Sequence, residues 1–174
     1  CASGSWGGRV RGTTTNSKIF DLTVKSGQFG SSTYDYTTGI YVGGRHGGTH
    51  YALRTAKIEG GWIYNLIGGP LSDSSMQDKN DTHMAIVGGE VDLVIGGAGT
   101  SPTYGNRIIQ VTGGRINYSV FGGSNGYQGT SSDGTVMGSS FIYVGGIATI
   151  GNQTLIDNNS TMFGAEAGSV FGIG

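Results

Sequence analysis

Met84-Ala85-Ile86-Val87-Gly88-Gly89-Glu90-Val91-Asp92-Leu93-Val94-Ile95-Gly96-Gly97 is the stretch whose reading decides the fold. Met84 and Ile86 stand four and two residues ahead of Gly88, alternating with Ala85 and Val87, and Val91 stands two beyond Gly89. That is the period of a strand, whose successive side chains leave on opposite faces. A helix would place its apolar residues three and four apart. The pattern recurs along the chain. Anchoring on Gly7-Gly8, Ser26-Gly27, Gly60-Gly61, Gly88-Gly89, Gly113-Gly114, Gly145-Gly146 and Ala167-Gly168, the residue two beyond each pair is Val10, Phe29, Ile63, Val91, Ile116, Ala148 and Val170. All are apolar. Ahead of the pairs stand Leu22 and Val24, Ala56 and Ile58, and Ile109 and Val111, interleaved with polar residues such as Thr23, Lys57 and Gln110.

Units that cannot each bury an apolar face must stack on their neighbours, and anchors spaced irregularly by 19 to 34 residues point to a solenoid. A second short strand follows each pair, as in Trp62 to Ile67, Glu90 to Ile95 and Arg115 to Phe121, and these three end in another Gly-Gly. Gly8, Gly27, Gly61, Gly89, Gly114, Gly146 and Gly168 are the expected structural corners, where glycine accepts positive φ and close backbone approach. The expected fold is all-β, a parallel β-helix or β-solenoid of about six to seven irregular coils, one domain over residues 1–174. Ser-, Asp- and Asn-rich segments such as Pro70 to Asp81 and Ser124 to Thr135 read as variable loops on one side of it.

Composition narrows the function classes. Glycine supplies 36 residues, well above the usual share of about 7%, yet nine Tyr, six Phe and the phased apolar positions argue against a disordered linker. Only 12% of residues are charged and the net charge is −1, so no basic stripe suits a nucleic-acid backbone. No run reaches the roughly 18 to 20 apolar residues of a membrane helix. One cysteine gives no internal disulfide framework. Low charge with abundant Ser, Thr, Asn and Gly associates with extracellular or cell-surface proteins, and no cofactor motif is present.

The ends invite assembly. A free solenoid needs polar caps, and none is read here: the first anchor lies at Gly7-Gly8 and the last strand runs to Ile173. The chain is expected to be either part of a longer solenoid or a subunit pairing head to tail with copies of itself, an arrangement that does not close. Cys1, followed by Ala2 and Ser3, resembles the start of a lipid-carrying bacterial lipoprotein; an intermolecular disulfide and an arbitrary boundary remain open alternatives.

Candidate chemistry is sparse. Glu90 and Asp92 share one strand face and could bind calcium or cleave glycosides, but their counterparts Trp62 and Tyr64, and Arg115 and Asn117, build no carboxylate ladder, so the pair reads as a solvated face. His46, His50 and His83 lack the ligand set of a zinc site and read as loop histidines. Gly43 to Gly48 lacks the Lys-Ser/Thr and the helix of a phosphate loop. Tyr34, Tyr36, Tyr41 and Tyr51, with Trp62 and Tyr64 on the next outward face, could stack on sugars or a partner, or simply cover the body locally. Asn80, Asn117, Asn152, Asn158 and Asn159 head Asn-x-Ser/Thr triplets.

The units Ile67-Gly68-Gly69, Ile95-Gly96-Gly97 and Val120-Phe121-Gly122-Gly123 resemble the degenerate glycine-rich repeats of large bacterial surface proteins with a right-handed parallel β-helix, similar in architecture to pectin-lyase-like adhesins. The resemblance implies extracellular display and a scaffold role, and no catalytic motif of polysaccharide lyases can be matched. The leading expectation is a non-enzymatic structural β-solenoid stacked end to end into a surface filament or stalk. The alternatives are an adhesin module binding a glycan or receptor through Tyr34, Tyr36, Tyr41, Trp62 and Tyr64, and a tailspike-like carbohydrate-cleaving β-helix.

Overall fold

The computed structural model describes residues 18–31, 38–43, 52–70, 79–98, 102–124, 137–162 and 165–172. Over these the protein is all-β, built on a mostly parallel, curled eleven-stranded sheet. The chain makes five stacked passes. The first carries β1 (Lys18–Val24), β2 (Gln28–Phe29) and β3 (Ile40–Tyr41), and the second β4 (Ala52–Ile58) and β5 (Trp62–Ile67). The third is the single long strand β6 (Thr82–Ile95), and the fourth holds β7 (Arg107–Ile116) and β8 (Val120–Phe121). The fifth holds β9 (Ser140–Val144) and β10 (Thr149–Ile150). It then departs through helix α1 (Gln153–Asp157) and the ribbon β11 (Thr161–Met162) and β12 (Ala165–Glu166), and returns as β13 (Val170–Phe171).

Parallel registers align the passes in three columns. Val24, Ile58, Ile86, Val111 and Val144 stack in the first. Phe29, Ile63, Val91, Ile116 and Ile150 stack in the second. Ile40, Leu66, Val94, Val120 and Val170 stack in the third. The curl turns all three columns onto one core, in which Ile58, Ile63, Leu66, Ile86, Val91, Val94, Ile109, Val111, Ile116 and Val120 are wholly buried and Phe29 packs against them. The alternation around Gly88-Gly89 therefore identifies the inner wall, where each aliphatic side chain contributes roughly 1.5–3 kcal/mol through burial.

The second strand of each pass bends. Its inward residues, Ile63 and Leu66 in β5 and Val91 and Val94 in β6, stand three apart because the strand turns a corner between them, so one segment feeds two columns. On the outer side of the third column Tyr41, Ile67, Ile95 and Phe121 form a second apolar cluster with Tyr64, Leu93 and Met162. Two buried arginines brace the variable side. Arg107 Nη1 donates to Asn80 O at 2.7 Å, and Arg54 donates to the same carbonyl and to Thr82 Oγ1, each at 3.1 Å.

The two kinds of glycine doublet meet different needs. At the first corner Gly27, Gly61, Gly89, Gly114 and Gly146 take positive φ; a Cβ on Gly89, at φ +76°, would lie 2.8 Å from backbone atoms of Gly60 and Gly61. At the second corner φ is ordinary and closeness decides. Gly97 N donates to Gly123 O at 2.9 Å, and a Cβ on Gly97 would lie 3.0 Å from Gly123 C. Gly43, Gly69 and Gly97 each lie against the next pass there, so the chain leaves successive passes along one edge.

Three sequence expectations need correction or lie beyond view. Gly7-Gly8 and Val10 fall outside the described residues, and five passes are seen where six to seven coils were expected. Between Val144 and Ile150 the corner is one residue longer than between Val111 and Ile116, so Ile150 rather than Ala148 takes the place of Ile116. Ala167-Gly168 does not open a repeat: Val170 pairs with Val120 in the third column and is 46% exposed. Gly168 (φ +86°) instead closes an excursion that starts at Gly151 (φ +94°), and a Cβ on Gly151 would lie 2.7 Å from Gly168 Cα. Gly30 (φ +114°) and Gly39 (φ +130°) stand at the same corner of the first pass, one after β2 and one before β3.

Gly89→Ala is expected to lower the unfolding free energy by at least about 2 kcal/mol, because a side chain there meets both an unfavourable φ and a backbone collision. Gly172, whose Cβ would meet nothing within 4 Å, serves as the control and should shift stability by less than about 0.5 kcal/mol as Gly172→Ala. Urea denaturation of both variants checks the pair.

Candidate functional site

Outward residues of the second column come into register across three passes. Trp62 pairs with Glu90, and Glu90 with Arg115. Two residues further on, Tyr64, Asp92 and Asn117 extend the same face. The stretches that supply them are separated by about a full repeat in sequence but by one strand spacing, about 4.8 Å, in space. Over this face lies the Gly151–Gly168 excursion, held down by Asn152 N donating to Asn117 O (2.9 Å), Gly168 N to Tyr118 O (2.8 Å) and the Ser119 hydroxyl to Glu166 O. Asn152 caps α1 by accepting from Thr154 N at 3.1 Å.

Between the excursion and the sheet a half-open cleft of about 310 Å³ is lined by Trp62, Tyr64, Asp92, Asn117, Tyr118, Leu155 and Met162. The Trp62 and Tyr64 rings are inclined at 54° with centroids 6.1 Å apart. Asp92 Oδ1 accepts from Trp62 Nε1 at 3.0 Å and from Asn117 Nδ2 at 2.6 Å. Asn117 Nδ2 gives its second hydrogen to Glu90 Oε1 at 2.7 Å, and Glu90 Oε2 faces Arg115 at 3.4 Å. Asn117 Oδ1 is buried with no hydrogen-bond partner.

Asp92 is the group the sequence misplaced. It was expected on a solvated face beside Glu90, yet it is only 8% exposed, while Glu90 stays partly open. Burial is the main influence on its carboxyl and pushes the pKa up; the hydrogen bonds from Asn117 and Trp62 pull it down, and the neighbouring Glu90 charge adds to the rise.

The other sequence candidates are scattered. Tyr41 is buried in the outer apolar cluster away from the cleft, Tyr64 is buried in its wall, and Trp62 is partly exposed at it. Tyr34, Tyr36, Tyr51, His46, His50, Cys1 and Gly8 lie outside the described residues. His83 projects from β6 with intermediate exposure, and among the described residues no three His, Cys, Asp or Glu side chains gather as a metal site. Of the Asn-x-Ser/Thr asparagines, Asn80 and Asn117 are buried and Asn158 and Asn159 are exposed. No described helix is long and apolar enough to cross a membrane. Asn117, Tyr118, Leu155 and Met162 were not singled out as cleft residues. The alternation of β7 does place Asn117 outward in phase with Arg115, but Leu155 and Met162 arrive on the excursion and carry no repeat signal.

The raised Asp92 pKa has a definite consequence for stability. The folded state holds the proton to higher pH than the unfolded state, so stability falls as pH rises from the ordinary aspartate range through the raised value, and stays lower above it. Asp92→Asn should remove this component, leaving a denaturation midpoint that declines less between pH 3.5 and 7 than that of the parent chain. Urea titrations across that range check it. No protein-family model, curated protein or solved structure matches this chain, so its chemistry rests on its own residues.

Proposed function

We propose that the chain is a structural β-solenoid that forms part of an extracellular surface filament or stalk by stacking end to end. In this reading the stacked passes are coils of a parallel β-helix, with the glycine doublets as its corners. Surface display follows from the low charge and from the resemblance to repeat proteins of bacterial surfaces.

The observation that carries the reading is the open face after the fifth pass. Among the described residues β9, β10 and β13 pair on one side only. Val144, in the same column as the fully buried Ile86 and Val111, is 42% exposed, and Ile147 is 85% exposed. Proteins normally blunt such an edge with charge, proline or a cover; here Phe141, Tyr143, Val170 and Phe171 are exposed beside it.

The third-column glycines add a geometric argument. A Cβ on Gly68 would strike Gly96 O, one on Gly96 would strike Gly122 O, and one on Gly122 would strike Gly172 O, whereas one on Gly172 meets nothing. Gly172 thus repeats a requirement that arises only when another pass lies beyond it. At the opposite end β1 pairs with β4 alone among the described residues, and Ile19 is 72% exposed. Unlike ends that pair head to tail propagate into a filament instead of closing.

Negative-stain microscopy and sedimentation over a concentration series test the reading. The parent chain should form rods that lengthen with concentration, while Val144→Asp and Gly172→Ala should remain discrete particles with melting temperatures close to that of the dilute parent. Discrete parent particles at every concentration, or rods unaffected by both substitutions, would remove the proposal.

A further inference from the structure

The cleft between the sheet and the Gly151–Gly168 excursion has a chemistry that end-to-end stacking does not use. The donors of Trp62 and Asn117 are committed: Trp62 Nε1 to Asp92, and both hydrogens of Asn117 Nδ2 to Asp92 and Glu90. What stays available is an acceptor. Both bonds to Asp92 fall on Oδ1, and Oδ2 has no partner among the described residues. Asn117 Oδ1, buried in the same wall, is likewise without a partner.

The charges are uneven too. Glu90 faces Arg115 at 3.4 Å, but Asp92, deeper in, is met only by two neutral donors. The inclined Trp62 and Tyr64 rings wall the cleft beside it, with Leu155 and Met162 supplied by the excursion. Aromatic faces around an uncompensated carboxylate attract a cation through the negative ring quadrupole as well as through charge. A sugar suits the site less well. Each of its hydroxyls brings lone pairs as well as a donor, and with the Trp62 and Asn117 donors engaged the tyrosine hydroxyls are the only other donors among the lining side chains to meet them. An ammonium brings donors alone or, when methylated, a positive apolar surface matched to the rings.

We infer that this cleft binds an organic ammonium group, an alkylammonium or methylated ammonium, with Trp62 and Tyr64 as its aromatic walls and Asp92 Oδ2 as its counter-ion. The same head-group occurs on a lysine side chain of another protein and on a free or lipid-borne amine such as choline.

The experiment titrates the purified chain with choline, with an Nε-trimethyllysine peptide, with the neutral isostere 3,3-dimethylbutan-1-ol and with methyl glycosides. It follows the indole N–H resonance of Trp62, assigned by its disappearance in Trp62→Phe. A saturable shift is expected with at least one ammonium ligand, and the neutral isostere should bind at least about tenfold more weakly. Tighter binding of the peptide assigns a protein partner, and tighter binding of choline a small amine or headgroup.

Asp92→Asn keeps an oxygen for Trp62 and Asn117 and turns an amide nitrogen toward the ligand. It should weaken ammonium binding about tenfold or more while the melting temperature at neutral pH is held or raised. Equal affinity for the neutral isostere, undiminished affinity in Asp92→Asn, binding of glycosides in place of ammonium ligands, or no shift with any of them would overturn the inference. Because single particles suffice, the result does not depend on whether the chain assembles.

Discussion

Close parallel stacking of backbone on backbone at the corners is the constraint from which the rest of this structure follows. Successive passes must lie one strand spacing apart along every column, and a turning chain at that spacing leaves no room for a side chain between passes. At Gly89 and Gly114 the difficulty is doubled, since φ is positive as well. Where the corner holds, the inward residues on either side fall into columns without further instruction. Val24, Ile58, Ile86 and Val111 then bury one another through contacts between neighbouring passes only. Stability in such an array is close to a sum of nearest-neighbour terms, so an interruption in one pass is felt mainly by the passes on either side.

The architecture uses that tolerance at one place. The bend between the second and third columns is tight in β5 and β6, whereas Gly30 and Gly39 separate the two columns in the first pass and the Gly151–Gly168 excursion does so in the fifth. Both separations begin and end at glycines of positive φ, so the columns continue beyond them nearly undisturbed. The excursion folds back over the outer face of the fourth pass and makes the cleft. A regular β-solenoid has no such concavity, because its outer wall is a flat ribbon of side chains. Here the concavity comes from one local departure from the repeat, and the carboxylate inside it is buried by that same departure.

Much of the scaffold was legible from local pattern, because its two determinants are local: alternation within a strand and glycine at a corner. Leu22 and Val24 or Ile109 and Val111 need no distant information to be placed inward. The errors arose where one residue type answers two needs. Gly168 has the positive φ of a repeat corner, but it closes an excursion, and nothing in Ala167-Gly168-Ser169-Val170 distinguishes the two. The bend at Tyr64 and Asn65 was hidden because both faces are buried there, which erases the alternation that would have marked it. Ile150 displaced Ala148 because Gly145 follows Val144 directly, whereas Thr112 separates Gly113 from Val111, and the corner itself is one residue longer, so counting from the glycines stops two residues short.

The site was less legible than the scaffold, for a different reason. Asp92 next to Glu90 on one strand looks solvated as long as only that strand is considered. Its actual surroundings come from Trp62 in the preceding pass, Asn117 in the following one, and Leu155 and Met162 on a segment that no repeat pattern places over the sheet. A repeat alignment can supply the first two, since Trp62, Glu90 and Arg115 occupy equivalent positions, as do Tyr64, Asp92 and Asn117 two residues later. That equivalence argued against a carboxylate ladder, and rightly; its positive content is that unlike residues in one column are direct neighbours. An acid with an asparagine beside it in its own column and a tryptophan two residues back in the preceding pass is flanked by two donors, whatever the individual strand suggests. For curled parallel sheets with degenerate repeats, the column of outward residues is therefore a better unit for finding chemistry than the strand. The departures from consensus within it are where a polar group gains partners that its own strand does not provide.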